Sequence, residues 1–389
     1  MKHLFVALIG TAMGEALQGV RLAGELAAGG DEVLFLAPRA LSVLLRDAPV
    51  RAGYLDRAID GHRILESLAE AVAEEGCDSI VLVDTASVLS GLLVSGESTQ
   101  RLFELGAPVI GLDLWNLTEA GAAWDMSPGR WWEIPRAHWQ RVRRLVPVPV
   151  ARPSAAFAYD ALPAQEPLDA DAREAVRHEL GLAPGRPLVL WPTAAWQMAA
   201  GQSAAPGKAL AAALPPLVLE ALAGLAGDLQ LVQVGATPLQ AEGGPLHFRA
   251  LPNLPPAQFA RLVAAADLLI GFNQSATSLA LACAAEVPCV VGINSRHAPP
   301  FTEFRVWPLG LHDFLTPVLI DNPVASTHHT VELLEPGAFA AACHSLLFDP
   351  AAASALRTAQ RAYKVEVRRL PGPRDAFLGA LARPHGAAG

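Results

Sequence analysis

Residues 247–293 read HFRALPNLPPAQFARLVAAADLLIGFNQSATSLALACAAEVPCVVGI, and this stretch decides the fold. A short apolar strand at 248–251 is followed by a Pro/Asn loop and a helix whose apolar residues recur at helical spacing. Residues 267–272, DLLIGF, form a continuous apolar run without the alternation of a half-exposed strand, which predicts a buried parallel strand. A second helix and another apolar strand, 288–293, follow. Strand and helix therefore alternate, as they do in α/β proteins.

Polar side chains come directly after the buried strand. They are Asn273, Gln274, Ser275, Thr277 and Ser278. Hydroxyl and amide groups at the start of a helix that leaves a buried strand favour an anion site, because free backbone N–H groups and the helix dipole both attract a phosphate. We assign these five residues to nucleotide or phosphate binding. The alternative is that Ser275 or Asn273 only caps the helix.

This order of elements resembles the donor-binding half of the GT-B glycosyltransferases and their relatives, which include lipid-II-forming N-acetylglucosaminyltransferases and non-hydrolysing UDP-sugar 2-epimerases. The matching positions are Leu254-Pro255, Ala266-Asp267, Ala282, Val287-Pro288 and Val290-Val291. Two positions depart from the family pattern. Leu281 stands where many members have an acidic residue that holds the donor ribose, and Glu286 stands where they have a small Gly. Leu281 cannot accept a hydrogen bond from a ribose diol, so a nucleotide-sugar donor follows from the fold and not from a complete motif.

The composition indicates a large folded protein. The chain has 389 residues, of which 52% are hydrophobic and 17% charged, so two domains of ordinary size fit its length. The formal net charge of −9 argues against nucleic acid as the main partner. Nearly all basic residues are Arg, and with the excess of Ala and Pro this is typical of high-GC bacterial coding. Arg141, Arg143 and Arg144 form a basic cluster that we interpret as a solvated helix face.

The four cysteines form no CxxC pair. We interpret them as buried small hydrophobes of a reducing compartment, which favours a cytoplasmic protein without a disulfide framework or a zinc site. We interpret the apolar N-terminus as a first strand, since cleavage as a signal peptide would remove that strand from a βαβ unit. No run approaches the roughly 20 apolar residues of a membrane span. We expect no metal or cofactor, and a homodimer is compatible with the sequence.

The first 40 residues form a predicted strand–helix–strand unit. Strands at 3–9 and 32–37 flank a turn at 10–15 and a helix at 16–28. The GxGxxG spacing of a dinucleotide site is absent from the turn. The pattern resembles instead the first turn of GT-B proteins, which faces the acceptor.

Glu15 stands in this turn at the position where many GT-B relatives carry a catalytic His. The resemblance implies that Glu15 is the general base for an acceptor hydroxyl, a role that favours a pKa near the working pH. A helix N-terminus lowers the pKa of a carboxylate unless burial opposes it. We place Met13 and Gly14 of the same turn at the acceptor. The alternative is a glutamate that only stabilises the helix dipole.

Further strand–helix units follow, with strands predicted at 79–84 and 108–113 and helices near 61–75 and 97–105. Asp84 and Asp113 end the two strands, at the edge where open α/β sheets bind their ligands. We assign Asp113 to the acceptor site. The alternative for each aspartate is a cap of the turn that follows.

Residues 115–139 hold five of the eight tryptophans. A tryptophan offers a large apolar face for stacking on a ligand ring and one N–H donor. From this segment we assign acceptor contacts to Trp115, Trp124, Trp131, Trp132 and His138. The competing interpretation is a small core beneath a long loop, with a structural role for the histidine.

The second domain begins after a Pro- and Ala-rich stretch at 151–170. Asp169 is a routine cap for the next helix, which resembles the first helix of the second GT-B domain. The loop after the strand 187–191 approaches the donor phosphates in GT-B members. We assign further nucleotide or phosphate contacts to Thr193, Lys208, Asn253 and Arg296.

The predicted fold is α/β, with two facing Rossmann-like domains of the GT-B type and a C-terminal helix that crosses back to the first domain. The predicted boundaries are 1–150 for the acceptor-side domain, 151–184 for a linker and helix, 185–350 for the nucleotide-sugar domain and 351–389 for crossover helices and tail. The resemblance implies a metal-independent glycosyltransferase that moves a sugar from a nucleotide-diphosphate donor to a small-molecule or natural-product acceptor. The alternatives are a non-catalytic GT-B-like auxiliary protein and a sugar-nucleotide epimerase.

Overall fold

The structure is a computed structural model that describes residues 1–10, 13–55, 64–94, 96–117, 134, 136–194, 198, 205–225, 228–239, 246–294, 321–335 and 337–383, without the side chains of 94 and 205–211. The chain divides into two compact units. Unit 1 comprises Met1–Ala161, Pro317–Asn322 and Glu366–Gly389. Unit 2 comprises Leu162–Thr316 and Pro323–Val365.

Unit 1 contains a parallel sheet of seven strands in the order β3-β2-β1-β4-β5-β6-β7. The strands are β1 (Lys2–Val6), β2 (Glu32–Pro38), β3 (Arg51–Leu55), β4 (Ser79–Leu82), β5 (Val109–Leu112), β6 (Arg143–Val148) and β7 (Ala158–Asp160). Its helices are α1 (Met13–Ala28), α2 (Ser42–Leu45), α3 (Ile64–Glu75), α4 (Thr85–Val94), α5 (Thr99–Leu102), α6 (Arg136–Arg141) and, from the end of the chain, α13 (Pro373–Leu381). A 3₁₀ turn covers Arg39–Leu41. This strand order, which reverses between β1 and β4, is that of a Rossmann-like sheet.

The C-terminal helix α13 belongs to the core of unit 1. Phe377 and Ala380 are fully buried there, and α13 packs on α1 and β6. Arg374, at the start of the helix, crosses directly over Gly29, so any side chain at that glycine would collide with the guanidinium. The predicted return of a C-terminal helix to the first domain is confirmed.

Unit 2 contains a parallel sheet of six strands in the order β10-β9-β8-β11-β12-β13. The strands are β8 (Leu188–Thr193), β9 (Gln230–Gly235), β10 (His247–Leu251), β11 (Leu268–Gly271), β12 (Cys289–Ile293) and β13 (His329–Glu332). The helices are α7 (Ala170–Glu179), α8 (Ala205–Ala223), α9 (Pro256–Ala265), α10 (Thr277–Ala284), α11 (Ala338–Phe348) and α12 (Pro350–Val367). A 3₁₀ turn covers Pro323–Thr327. Two Rossmann-like units confirm the predicted fold class.

Asp267, the residue before β11, links α7 to the sheet through hydrogen bonds and ion pairs. Its carboxylate accepts hydrogen bonds from the Leu188 backbone N at 2.7 Å and from Arg177 at 2.8 Å, and it also pairs with Arg173. Arg177 is only 5% exposed and bonds the Ala265 carbonyl as well. The aspartate that opens the apolar run 267–272 therefore neutralises a buried guanidinium.

Some elements differ from the sequence prediction. The edge strands β3 and β13 were not predicted, because half-exposed residues replace the continuous apolar run of a central strand. Strand β7 lies within the predicted linker stretch 151–170. Strand β6 begins at Arg143, so Arg143 and Arg144 lie on a strand, and their assignment to a helix face is wrong.

All four cysteines are buried and form no disulfide, which confirms their interpretation as small hydrophobes. Among the described residues no single helix is both long and apolar enough to cross a membrane. The helices α11 and α12, which meet at a sharp bend, reach the length and apolar composition of a span only as a pair.

Candidate functional site

Glu15 lies in the first turn of α1, which leaves the sheet of unit 1 where β1 is flanked by β2 and β4. One turn later on the same helix face, Gly19 packs on Val83, just past the end of β4. A Cβ on Gly19 would lie 2.6 Å from Val83 Cγ1, so only glycine permits this close approach. The approach brings Glu15 within electrostatic range of Asp84.

The pKa of Glu15 is set by competing effects. Burial, followed by the negative charge of Asp84, raises it from 4.5 to about 7, and a backbone hydrogen bond at the helix start opposes the rise. The residue as a whole keeps intermediate exposure. Burial and Asp84 therefore outweigh this hydrogen bond, and a pKa of about 7 suits a general base at neutral pH.

Glu15, Asp84 and Asp113 form a row of acids, in which each acts on the charge of the next. Asp84 is 6% exposed and accepts a hydrogen bond from the Ser87 backbone N at 3.3 Å and another from the Ser87 hydroxyl. Burial raises its pKa to about 6, although the Ser87 bonds lower it, and Asp113 adds to the rise. Asp113 accepts from the Leu117 backbone N at 2.8 Å. Both aspartates therefore cap the turn that follows them and also act electrostatically on their neighbours.

The predicted acceptor residues are found in several places. Met13 and Trp115 are partly buried and pack against the core of unit 1. His138, on α6, bonds the Thr99 hydroxyl of α5, and burial followed by the Arg141 charge lowers its pKa. Gly14 is the second residue of α1, after Met13. Outside the described residues lie Trp124, Trp131 and Trp132.

The start of α10 has no side-chain cap. Asn273 accepts from both the backbone N and the hydroxyl of Ser275, at 3.0 and 2.8 Å, and so closes a turn ahead of the helix. The residue before the helix is Ala276, from which no side chain bonds the first turn. Neither Asn273 nor Ser275 therefore caps α10, and the N–H groups of Thr277 and Ser278 begin a helix at the carboxyl end of β11.

The two departures from the family pattern have different causes. Leu281 is 2% exposed and packs in the core of unit 2. Glu286 has a φ of 56°, a left-handed conformation in which glycine would be favoured. Arg361 and Lys364 of α12 hold its carboxylate at 2.6 and 3.2 Å. Ion pairs within unit 2 thus account for Glu286. Leu281 leaves the position expected to hold the donor ribose without a polar group.

The remaining predicted phosphate contacts lie near the carboxyl ends of other strands. Thr193 ends β8, and its hydroxyl donates to the Val234 carbonyl at 3.2 Å and accepts from Gln233 at 2.7 Å. It would have to release the first bond to donate to a phosphate. Asn253 lies partly buried in the loop after β10, and Gln274 lies partly buried in the turn before α10. Outside the description fall the side chain of Lys208, in α8, and all of Arg296.

Two residues of this region were not assigned from the sequence. Gly19 is a glycine inside a helical segment, a pattern that can mark a close contact, but Gly24 of the same helix has nothing within 4 Å, so the sequence does not single out Gly19. Gln18, one turn after Glu15, is 5% exposed, and its Oε1 has no partner among the described residues. No sequence pattern separates it from an ordinary surface glutamine. In the part of the chain that the structure describes, no group of three or more His, Cys, Asp or Glu could hold a metal ion.

Comparison with known proteins gives one sequence family and many solved structures that share one fold. The profile of a family of unknown function, DUF6365, matches residues 22–300 and 296–389. No curated protein matches the chain in sequence.

Solved structures match over nearly the whole chain. The glycosyltransferase SnogD from Streptomyces nogalater is 17% identical, with a TM-score of 0.58 over 98% of this chain and 99% of its own. The spinosyn forosaminyltransferase SpnP is 16% identical, with a TM-score of 0.62 over 98% and 100%. The glycosyltransferase VinC, solved in complex with dTDP, is 14% identical, with a TM-score of 0.57 over 98% and 99%. These neighbours are glycosyltransferases, and the predicted GT-B fold is confirmed.

Proposed function

We propose that this chain, which belongs to the DUF6365 family and has the GT-B fold, is a glycosyltransferase that moves a sugar from a nucleotide-diphosphate donor to a small-molecule acceptor. The observation that carries the proposal is the environment of Glu15. Its carboxyl group lies at the point where the strand order of unit 1 reverses, and its pKa is raised to about 7. A base with such a pKa is half ionised at neutral pH and takes a proton readily.

The proposed reaction is a direct displacement. Glu15 takes the proton of an acceptor hydroxyl while the hydroxyl oxygen attacks the anomeric carbon of the donor. The bond from that carbon to the diphosphate oxygen breaks, and the diphosphate leaves with the electron pair. The N–H groups that begin α10, together with Lys208 and Arg296, stabilise the charge that develops on the leaving group, so the reaction proceeds without a metal.

Two fold neighbours support the choice of substrates to test. VinC was solved with dTDP, which makes dTDP a donor nucleotide to screen beside UDP, GDP, CDP and ADP. SpnP is named for the spinosyn on which it acts, which supports a natural product as the acceptor class. Trp115 and Met13, which pack against the core of unit 1 two residues along the chain from Asp113 and Glu15, would contribute apolar contacts to such an acceptor.

The first experiment is a calorimetric titration of the five nucleoside diphosphates. We expect one of them to bind at micromolar levels and Lys208→Ala to weaken that binding. Lys2→Ala is the matched control, because Lys2 begins β1 and pairs with Glu32 and Glu75, away from the carboxyl ends of the strands. Absence of binding by all five nucleotides would exclude a nucleotide-sugar donor.

The second experiment tests the base. Glu15→Gln is expected to reduce turnover by about 10²–10⁴-fold, the usual contribution of a general base, with nucleotide affinity unchanged. Glu25→Gln, on the exposed side of the same helix, is the control and should retain full activity. Equal turnover in wild type and Glu15→Gln would remove Glu15 from the mechanism.

Leu281 favours a second candidate, a non-catalytic GT-B-like auxiliary protein. A buried leucine occupies the position from which many relatives hold the donor ribose, so this chain lacks one donor contact. Such a protein would bind none of the five nucleotides, and Glu15→Gln would leave its behaviour unchanged.

A further inference from the structure

Two arginines of unit 1 stack on the ring of Phe157, and a third lies close enough for its charge to act on one of them. Arg143 and Arg144 begin β6, Arg383 follows α13, and Phe157 immediately precedes β7. The guanidinium carbon of Arg383 lies 3.7 Å from the centre of the ring, and that of Arg144 lies 5.2 Å from it. Arg143 donates to the carbonyl of Leu381, at the end of α13. The chain therefore gathers three like charges from distant parts of its sequence.

In the described part of the chain, a carboxylate lies near one of these three arginines. Asp113 lies 3.9 Å from Arg144. Among the described residues, neither Arg143 nor Arg383 pairs with a carboxylate, and Arg143 Nε is buried without a partner. Burial, followed by the charges of Arg144 and Arg143, lowers the pKa of Arg383. Arg143 and Arg383 thus hold two like charges near each other, and this arrangement is costly unless an anion joins it.

Phe157 adds an independent observation. Its φ is 63°, a left-handed conformation that costs an aromatic residue stability. The backbone is held there because the Phe157 carbonyl accepts from the Val146 N at 3.0 Å, within the β6–β7 pairing. This conformation presents the ring to the two guanidiniums. Backbone strain of this kind concentrates at binding sites.

We propose that Arg144 and Arg383, which stack on Phe157, form together with the neighbouring Arg143 a binding site for a phosphate dianion, either free phosphate or a phosphate monoester. Guanidinium groups match phosphate oxygens in pairs, and a dianion neutralises the excess charge of the cluster. The simpler explanation, cations at a helix C-terminus, accounts for Arg143 at Leu381. It does not account for the stacking of Arg144 and Arg383 on a strained phenylalanine. The site uses none of the residues proposed for sugar transfer.

The test is a calorimetric titration of the full chain at a pH where phosphate is dianionic, with inorganic phosphate and with glycerol 3-phosphate. Sodium chloride is adjusted so that ionic strength stays constant, because a change in salt would by itself weaken the attraction between phosphate and the arginines. We expect saturable binding in wild type and at least about tenfold weaker binding in Arg383→Gln. Tighter binding of glycerol 3-phosphate would identify a monoester as the source, and equal binding would identify free phosphate.

Arg141→Gln is the matched control. Arg141 stacks on Phe103 at 4.3 Å in the same unit but outside the cluster, so its loss should leave phosphate affinity unchanged. Arg383→Lys, which keeps the charge but loses the planar group, should bind more weakly than wild type and serves if Arg383→Gln does not fold. Absence of saturable binding, equal weakening by Arg141→Gln, or loss of binding in Lys208→Ala with none in Arg383→Gln would each overturn the proposal.

Discussion

Replacement of Glu15 by Gln is expected to stabilise the protein at alkaline pH and to have little effect in acid. The folded chain holds the pKa of Glu15 at about 7, against 4.5 for the ordinary side chain. Below pH 4.5 the carboxyl group is protonated in both the folded and unfolded states, so no penalty exists. Between pH 4.5 and 7 the unfolded chain releases this proton more readily, and the free energy of unfolding falls.

The magnitude follows from the shift. Each pKa unit corresponds to about 1.4 kcal/mol, so a rise from 4.5 to about 7 costs about 3 kcal/mol above pH 7. Because Glu15 keeps intermediate exposure, solvent screens part of this, and we expect Glu15→Gln to gain about 1–3 kcal/mol. Glutamine has nearly the same shape and carries no charge beside Asp84.

The measurement is urea unfolding followed by tryptophan fluorescence at several pH values from 4.5 to 8.5. The difference in unfolding midpoint between Glu15→Gln and wild type should grow through the range from 4.5 to 7 and then stay constant. Glu25→Gln, on an exposed face of the same helix, should show no such growth. A difference that does not change with pH, or a variant less stable than wild type at pH 8, would refute the buried-carboxyl explanation.

Two further predictions concern the frame of each unit. Gly19→Ala places a Cβ 2.6 Å from Val83 Cγ1, and this overpacked contact should lower the free energy of unfolding by about 1–3 kcal/mol. Gly24→Ala is the control, because nothing lies within 4 Å of its Cβ position; in the same urea experiment it should be neutral or stabilising. Asp267→Asn leaves the buried Arg177 with only the more exposed Glu174 as a partner and should cost up to about 3–5 kcal/mol. Glu179→Gln removes only the exposed pair with Arg261 and should cost much less, so equal losses in thermal unfolding would contradict this.

The sequence alone was enough to predict the strand–helix alternation of both units. Continuous apolar runs such as 80–82 and 268–271 lie in central strands covered on both faces, so their residue pattern carries the assignment. The edge strand at 51–55 has the pattern RAGYL with partly exposed residues, and propensity alone does not separate it from a loop.

The candidate site was less accessible to sequence reasoning. The position of Glu15 in a turn was recognisable, but its pKa depends on burial and on Asp84, which is almost 70 residues away in the chain. The arginine cluster illustrates the same limit, because Arg383 meets Phe157 only through the packing of α13. Local patterns predict elements, whereas long-range packing decides which charges become neighbours.

The position of α13 also bears on how the chain is made. Phe377 and Ala380 complete a core whose other residues precede residue 162, so the ribosome must first add residues 162–376. At 5–20 residues per second this takes roughly 10–40 s. During that interval the apolar surface of α1 and β6 that α13 later covers is open to chaperones and to self-association. A nascent chain stopped before α13, or a fragment ending at 161, should therefore remain dependent on such protection.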